Sequence, residues 1–169
     1  MAVVPILQYP DPRLKIKAKP VDKVDDNIRA IVASMFATHY NQRNCAALAA
    51  SQLDWGQTVD NPAYRITVID FSEEKNSPLC LINPVIRNPK GETNSQEGCM
   101  SVQNVSAKVR RAERITVDYL DEAGNAQTLD ADGFLAKCIQ HEVDHLDGVL
   151  FIDRLSKIKQ MLLKRKFKG

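Results

Sequence analysis

Apolar residues return at Ile28, Ile31, Val32, Met35 and Phe36 behind the acidic pair Asp25 and Asp26. That is the spacing of one helix face behind an N-cap, and it predicts an amphipathic helix over residues 26–41. Before it, Pro5, Pro10, Pro12 and Pro20 keep the chain extended to about Lys23; after it, the polar run Asn41 to Asn44 ends the helix. Residues 45–53 (CAALAASQL) are small and apolar around one amide, Gln52, and suit a loop or short strand passing close to another element. Arg65 to Asp70 and Leu79 to Ile86 are rich in β-branched residues and read as strands. Ile115 to Leu120 alternates, DEAGN supplies a turn, and Ala126 to Leu129 returns as the hairpin partner. Asp132 stands at the N-cap of a helix from Gly133 to about Leu146, with Gly148 where a left-handed C-cap is expected. Leu155, Ile158 and Leu162 keep helical spacing in a last helix of about 155–168. A strand-rich middle with helices at the ends predicts an α+β fold.

The 169 residues suit one domain over 1–169. Hydrophobic residues at 44% and charged residues at 26% are ordinary for a globular chain, and a net charge of +2 is too small to argue for nucleic acid as main partner. The first residues lack the pattern of a secretory signal, and no stretch is apolar enough to span a bilayer. The expectation is a cytoplasmic protein whose four cysteines are reduced. In that setting, cysteines accompanied by histidines suggest a metal or catalysis.

Two of the three histidines lie in His141-Glu142-Val143-Asp144-His145. Residues four apart share a helix face, so both imidazoles can reach one ion while Glu142 meets a water beside it. The bland alternative is a chance pattern on a solvated helix. Phe134, Leu135 and Ile139 before the motif and Leu146, Val149, Leu150 and Phe151 after it argue for a buried one. A catalytic site needs a third protein ligand and an open position. Cys138, on the same helix, and Cys99, in what reads as the turn Glu97-Gly98-Cys99-Met100-Ser101, are the candidates; Cys99 is better placed. His39 reads as a satisfied core histidine and Cys80 as a small core residue.

Three segments together resemble the peptide deformylases: LAASQ at 48–52, EGCMS at 97–101 and QHEVDHLDG at 140–148. LQYPDPRL, NPVI, GET, RAERI and GVLFIDRL extend the likeness over nearly the whole chain. The resemblance implies antiparallel sheets packed around a central metal-binding helix, and removal of the N-formyl group from N-formylmethionyl nascent peptides. Cys99, His141 and His145 would bind one divalent metal, ferrous iron first, with zinc, nickel or cobalt able to substitute. A metal-bound hydroxide would attack the formyl carbon, Glu142 serving as general base and then acid. The Gln52 side chain and the Met100 N–H would stabilise the oxyanion. Cys45, Ala46, Ala47 and Leu48 would lie along the substrate backbone, and Glu97, Phe134, Lys137 and Cys138 would line its pocket. An ion pair between Arg111 and Asp144 would orient the metal helix. The resemblance also implies a monomer whose basic C-terminal helix docks on the ribosome.

Two departures bear on specificity. Cys45 and Ala47 stand where the family has glycines, and Lys137 stands where it usually has an apolar residue of the methionine pocket. Ser106 replaces a frequent arginine. The alternatives are therefore an amidase of altered specificity and a silent relative that binds formylated peptides or a ribosome. A zincin-type protease is disfavoured, because no His or Cys follows His145.

Overall fold

The computed structural model describes residues 2–167. Helix α1 spans Asp26–Tyr40, and the Asp25 carboxylate caps it by accepting from the Ile28 N–H. Ile28, Val32 and Met35 on its inner face pack on Leu48, Leu53, Ile66, Val68 and Ile82. Strands β1 (Ala47–Ala49), β2 (Ile66–Ile69) and β3 (Leu79–Lys90) follow, then β4 (Thr93–Cys99), β5 (Val102–Arg111), β6 (Arg114–Leu120) and β7 (Ala126–Asp132). They form two antiparallel sheets, one ordered β1-β2-β3-β6-β7 and one made of the β4–β5 hairpin alone. Helix α2 (Gly133–Leu146) packs on β1, β2, β6 and β7, and α3 (Lys157–Phe167) closes the described chain. The α+β expectation holds, as does the placing of helices at 26–41 and 133–146. Lys168 lies outside the described residues.

The differences have local causes. The β4–β5 hairpin was not expected, because polar residues occupy many of its inward positions. Ser95, Glu97 and Arg111 are buried there, so no apolar alternation marks the strands. Strand β7 runs on to Asp132, which pairs with Arg114 and also stands at the N-cap position of α2 as expected, although its side chain makes no cap bond. Gly148 adopts φ +76° past the end of α2, as anticipated. A Cβ there would also meet the Lys15 carbonyl oxygen at 2.5 Å, so close packing as well as conformation favours glycine.

Candidate active site

Two elements converge on one point. Helix α2 carries His141 and His145 on its buried face. Cys99 is the last residue of β4, just before the turn at Met100 and Ser101. A register shift follows: Gly98 pairs with Ser106, but Cys99 pairs with Val102. The extra β5 residues bulge, with Asn104 at φ 62°, and this re-aims the chain at Cys99. Ligand atoms of Cys99, His141 and His145 lie within 4.8 Å of one another, with Cys99 Sγ 3.3 Å from His145 Nε2. Cys138 is buried in the same cavity wall but does not join this group, so the choice between the two thiols falls on Cys99.

An ionic chain backs the first histidine. His141 Nδ1 meets Glu97 Oε1 at 2.8 Å, which leaves its Nε2 for an ion. Arg111 donates to both Glu97 oxygens, at 2.7 and 2.8 Å, and through Nη1 to Asp144 Oδ2 at 2.6 Å. Arg154 then clasps Asp144 through Nε at 2.5 Å and Nη2 at 2.7 Å. The expected Arg111–Asp144 pair is present. Arg154 was not foreseen, because it lies beyond the motif on a separate 3-10 turn, Phe151–Arg154. Both Glu97 oxygens are thus engaged by Arg111 and His141. Burial works against the Glu97 charge, yet Arg111 and His141 overcome it and hold the carboxyl down at about 2.

Glu142 is buried, and its Oε2 has no partner among the described residues. Burial above all, with Glu97 adding to it and His141 opposing, lifts its carboxyl to about 7. His145 is held well below the ordinary histidine value, first by burial and then by His141, so it stays neutral. Burial opposes charge on His141 too, but Cys99 and Glu97 outweigh it and raise the ring to about 10. Surroundings that favour a proton there equally favour a cation. A thiol, two imidazoles and a buried free carboxylate oxygen therefore suit a divalent metal site.

Gln52 ends the 3-10 turn after β1. Its Oε1 accepts from the Ala49 N–H at 2.9 Å, which fixes the amide orientation because that N–H can only donate. Its Nε2 thereby points at Ser101 Oγ, 3.1 Å, and Cys99 Sγ, 3.4 Å. Met100 lines the same cavity, of about 560 Å³, with Cys45, Ala46, Ala47, Phe134, Lys137 and Cys138. Leu48 does not: it is fully buried in the α1 core, because the strand pleat turns its side chain inward. Cys45 and Ala47 take ordinary backbone conformations, while the positive φ in this stretch, 56°, belongs to Asn44. The strand thus forms without glycine. The Cys45 thiol touches the Ala47 carbonyl at 3.5 Å and is pushed up to about 12, chiefly by burial. His39 sits in the core with Nε2 3.1 Å from the Ala46 carbonyl while its buried Nδ1 has no partner among the described residues, so it is a core histidine only half satisfied; Cys80 is buried, as read from the sequence.

Comparison with known proteins agrees with this geometry. Residues 3–161 match a family model described as polypeptide deformylase. The chain belongs to the peptide deformylase family.

Peptide deformylase 1 of Coxiella burnetii is 53% identical over 92% of this chain and 89% of its own. The peptide deformylase of Neisseria gonorrhoeae is 48% identical over 99% and 96%. Among solved structures, a peptide deformylase from Legionella pneumophila superposes with a TM-score of 0.88 at 39% identity, covering 99% of this chain and 96% of that one. The enzyme from Ehrlichia chaffeensis in complex with actinonin gives 0.87 at 39%, covering 99% and 97%. The chain is a metal-dependent hydrolase of the family that removes the N-formyl group from nascent peptides.

Proposed function

We propose that Cys99, His141 and His145 hold one divalent ion and that Glu142 moves the protons of the deformylation of N-formylmethionyl peptides. The observation that carries this reading is the meeting of one thiol and two imidazoles beside a buried carboxylate oxygen that has no partner. Such an ion acidifies water and polarises the formyl carbonyl. The chain's own residues do the rest. Glu142, with a carboxyl raised to about 7, takes a proton from the attacking water and delivers it to the leaving amine nitrogen. The Gln52 amide, fixed by Ala49, presents an N–H toward the oxygen that gains charge, and the Met100 N–H is the second donor. Glu97 holds the His141 ring in register, and Arg111 and Asp144 hold Glu97 and the helix. Ala46 and Ala47 flank the substrate backbone; Phe134 and Cys138 offer apolar surface for the methionine side chain.

Ferrous iron is the proposed resident ion, with nickel, cobalt or zinc as substitutes, since a thiolate and two imidazoles accept each of them. The protein would work as a monomeric single domain in the cytoplasm. Helix α3 carries exposed Lys157, Lys159, Lys164, Arg165 and Lys166, which supports docking on ribosomal RNA phosphates. No helix among the described residues is long and apolar enough to cross a membrane.

The test is formate release from formyl-Met-Ala-Ser by anaerobically purified, iron-loaded protein beside a Glu142→Ala control. Turnover confined to the native chain is expected. Absence of turnover with the metal bound would overturn the reading.

A further inference from the structure

Lys137 gives the active-site cavity a positive charge of its own. It lies on α2 one helical turn before His141 and one after Phe134, and it is half-buried. Of the described residues that line the cavity, it is the single lysine or arginine. The hairpin wall contributes uncharged groups: Ser95, Gln96, Asn104 and Ser106. Gln96 Nε2 donates to Ser106 Oγ at 3.2 Å, so those two satisfy each other. Two carboxylates line the cavity, and neither serves Lys137. Glu97 is held by Arg111 and His141, and Glu142 is buried beside the metal ligands. Among the described residues no ion pair includes the Lys137 ammonium.

The surroundings say where such a charge acts. Lys137 also borders a second groove with Thr93, Glu113, Arg114, Asp132 and Gly133, so it stands between the cavity and that groove. Phe134 lines the same cavity, stacked edge-on against Phe71 at 4.8 Å with both rings about half exposed. A long lysine stem can lie along such apolar surface while its head stays at the rim. Lys137 precedes His141 by one turn of α2, so a ligand that extends outward from the metal group along this helix meets it about 5 Å on.

We propose that Lys137 is a specificity-determining residue that makes this enzyme favour formylmethionyl peptides carrying a carboxylate side chain at the second or third residue. This rests on the deformylase reading above and names the substrate class within it. Full pairing in a partly screened site is worth roughly tenfold in affinity. The same charge disfavours a lysine or arginine at that place.

The experiment compares four peptides with amidated C-termini: formyl-Met-Asp-Ala, formyl-Met-Asn-Ala, formyl-Met-Ala-Asp and formyl-Met-Ala-Asn. Asp and Asn have nearly the same shape, so their ratio isolates charge. Native iron-loaded enzyme should show a kcat/KM ratio of Asp to Asn of roughly five to ten at one of the two positions, held mainly in KM. The ratio should fall toward one in Lys137→Met and below one in Lys137→Glu. It should shrink as salt rises from about 0.05 to 0.5 M. Binding of the deformylated products Met-Asp-Ala and Met-Asn-Ala, followed by calorimetry, should show the same charge preference without turnover. A native ratio of one at both positions, with the Asn peptides deformylated normally, would overturn the inference and leave the deformylase reading intact. A preference that persists in Lys137→Met would also overturn it. No formate from any of the four peptides would bring down the deformylase reading, and this inference with it.

Discussion

Arg111 holds Glu97 through two parallel bonds, Nη2 to Oε1 at 2.7 Å and Nε to Oε2 at 2.8 Å, and both side chains are buried. A buried pair of this kind contributes through the damage done when one partner is lost. Arg111→Met should cost about 3–5 kcal/mol of folding stability, because the buried Glu97 carboxylate would keep only His141 and Asp144 only Arg154. Glu97→Gln should be milder for the fold yet weaken metal retention roughly 10- to 100-fold, since His141 loses its carboxylate support. Urea unfolding and competition with a chromophoric chelator separate the two effects. Equal metal retention in native and Glu97→Gln protein would refute the positioning role.

Arg154 should behave as a weaker member of the same chain. Its side chain is 45% exposed, so water can replace part of what it gives to Asp144. Arg154→Ala is expected to lower metal affinity less than tenfold, with Arg154→Lys in between because lysine keeps the charge and loses the fork. The absorption bands of the cobalt-substituted protein report ligand geometry directly. A shift as large as that of Glu97→Gln would show that the outer arginine matters more than its exposure implies.

Removing the proton carrier and removing the oxyanion donor should leave different signatures. Glu142→Gln is expected to retain its metal and lose roughly 10²- to 10⁴-fold in kcat. Gln52→Leu should lose about 10²- to 10³-fold, also mainly in kcat, because its N–H acts on charge that develops during the reaction. Metal content by elemental analysis beside formate kinetics checks both. A Gln52→Leu protein affected only in KM would assign the amide to ground-state binding.

Asp70 offers a pH-dependent contribution to stability away from the metal. Burial opposes its charge, but Ser72, Tyr40 and the Ser77 N–H bond its carboxylate and hold its pKa below the ordinary value. A carboxyl depressed on folding stabilises above its unfolded value, about 3.9, and that contribution is lost as pH falls through the lower folded value. Asp70→Asn should therefore be about 1–2 kcal/mol less stable near pH 7, with the gap narrowing near pH 3. Urea unfolding at the two pH values measures it. A gap that does not change with pH would mean that shape, not charge, matters at this position.

The metal motif was legible because helix spacing converts directly into geometry: a step of four residues from His141 to His145 places both rings on one face. Helix α1 was legible for a similar reason, since an acidic cap followed by periodic apolar residues has one simple solution. The β4–β5 hairpin escaped notice because Ser95, Glu97 and Arg111 share its buried face with Val102 and Val109, which breaks the apolar alternation. Burial driven by ion pairing leaves no hydrophobic signature. Arg154 was hidden because nothing in the local pattern of its 3-10 turn says that it folds back onto Asp144. The burial of the Leu48 side chain was not legible since, in a stretch of small residues, the sequence does not say which side chains face the cavity and which the core.

The hairpin's isolation sets the order in which the molecule comes apart. β4 and β5 share no ladder with the five-stranded sheet, and a lone two-stranded ribbon is marginal in water. It is anchored by Val102 and Val109 in the cluster around Phe151, by the ionic chain to α2, and by Cys99 beside the histidines. An ion held there would link β4 to α2 across the 42 positions that separate Cys99 from His141 (141 − 99). Such a clasp makes the hairpin the local unit whose opening tracks metal occupancy. Amide hydrogen exchange in residues 93–111 should therefore quicken on chelation while β2 and β3 stay protected. The centre that performs the hydrolysis would then also be the hinge pin of its own doorway.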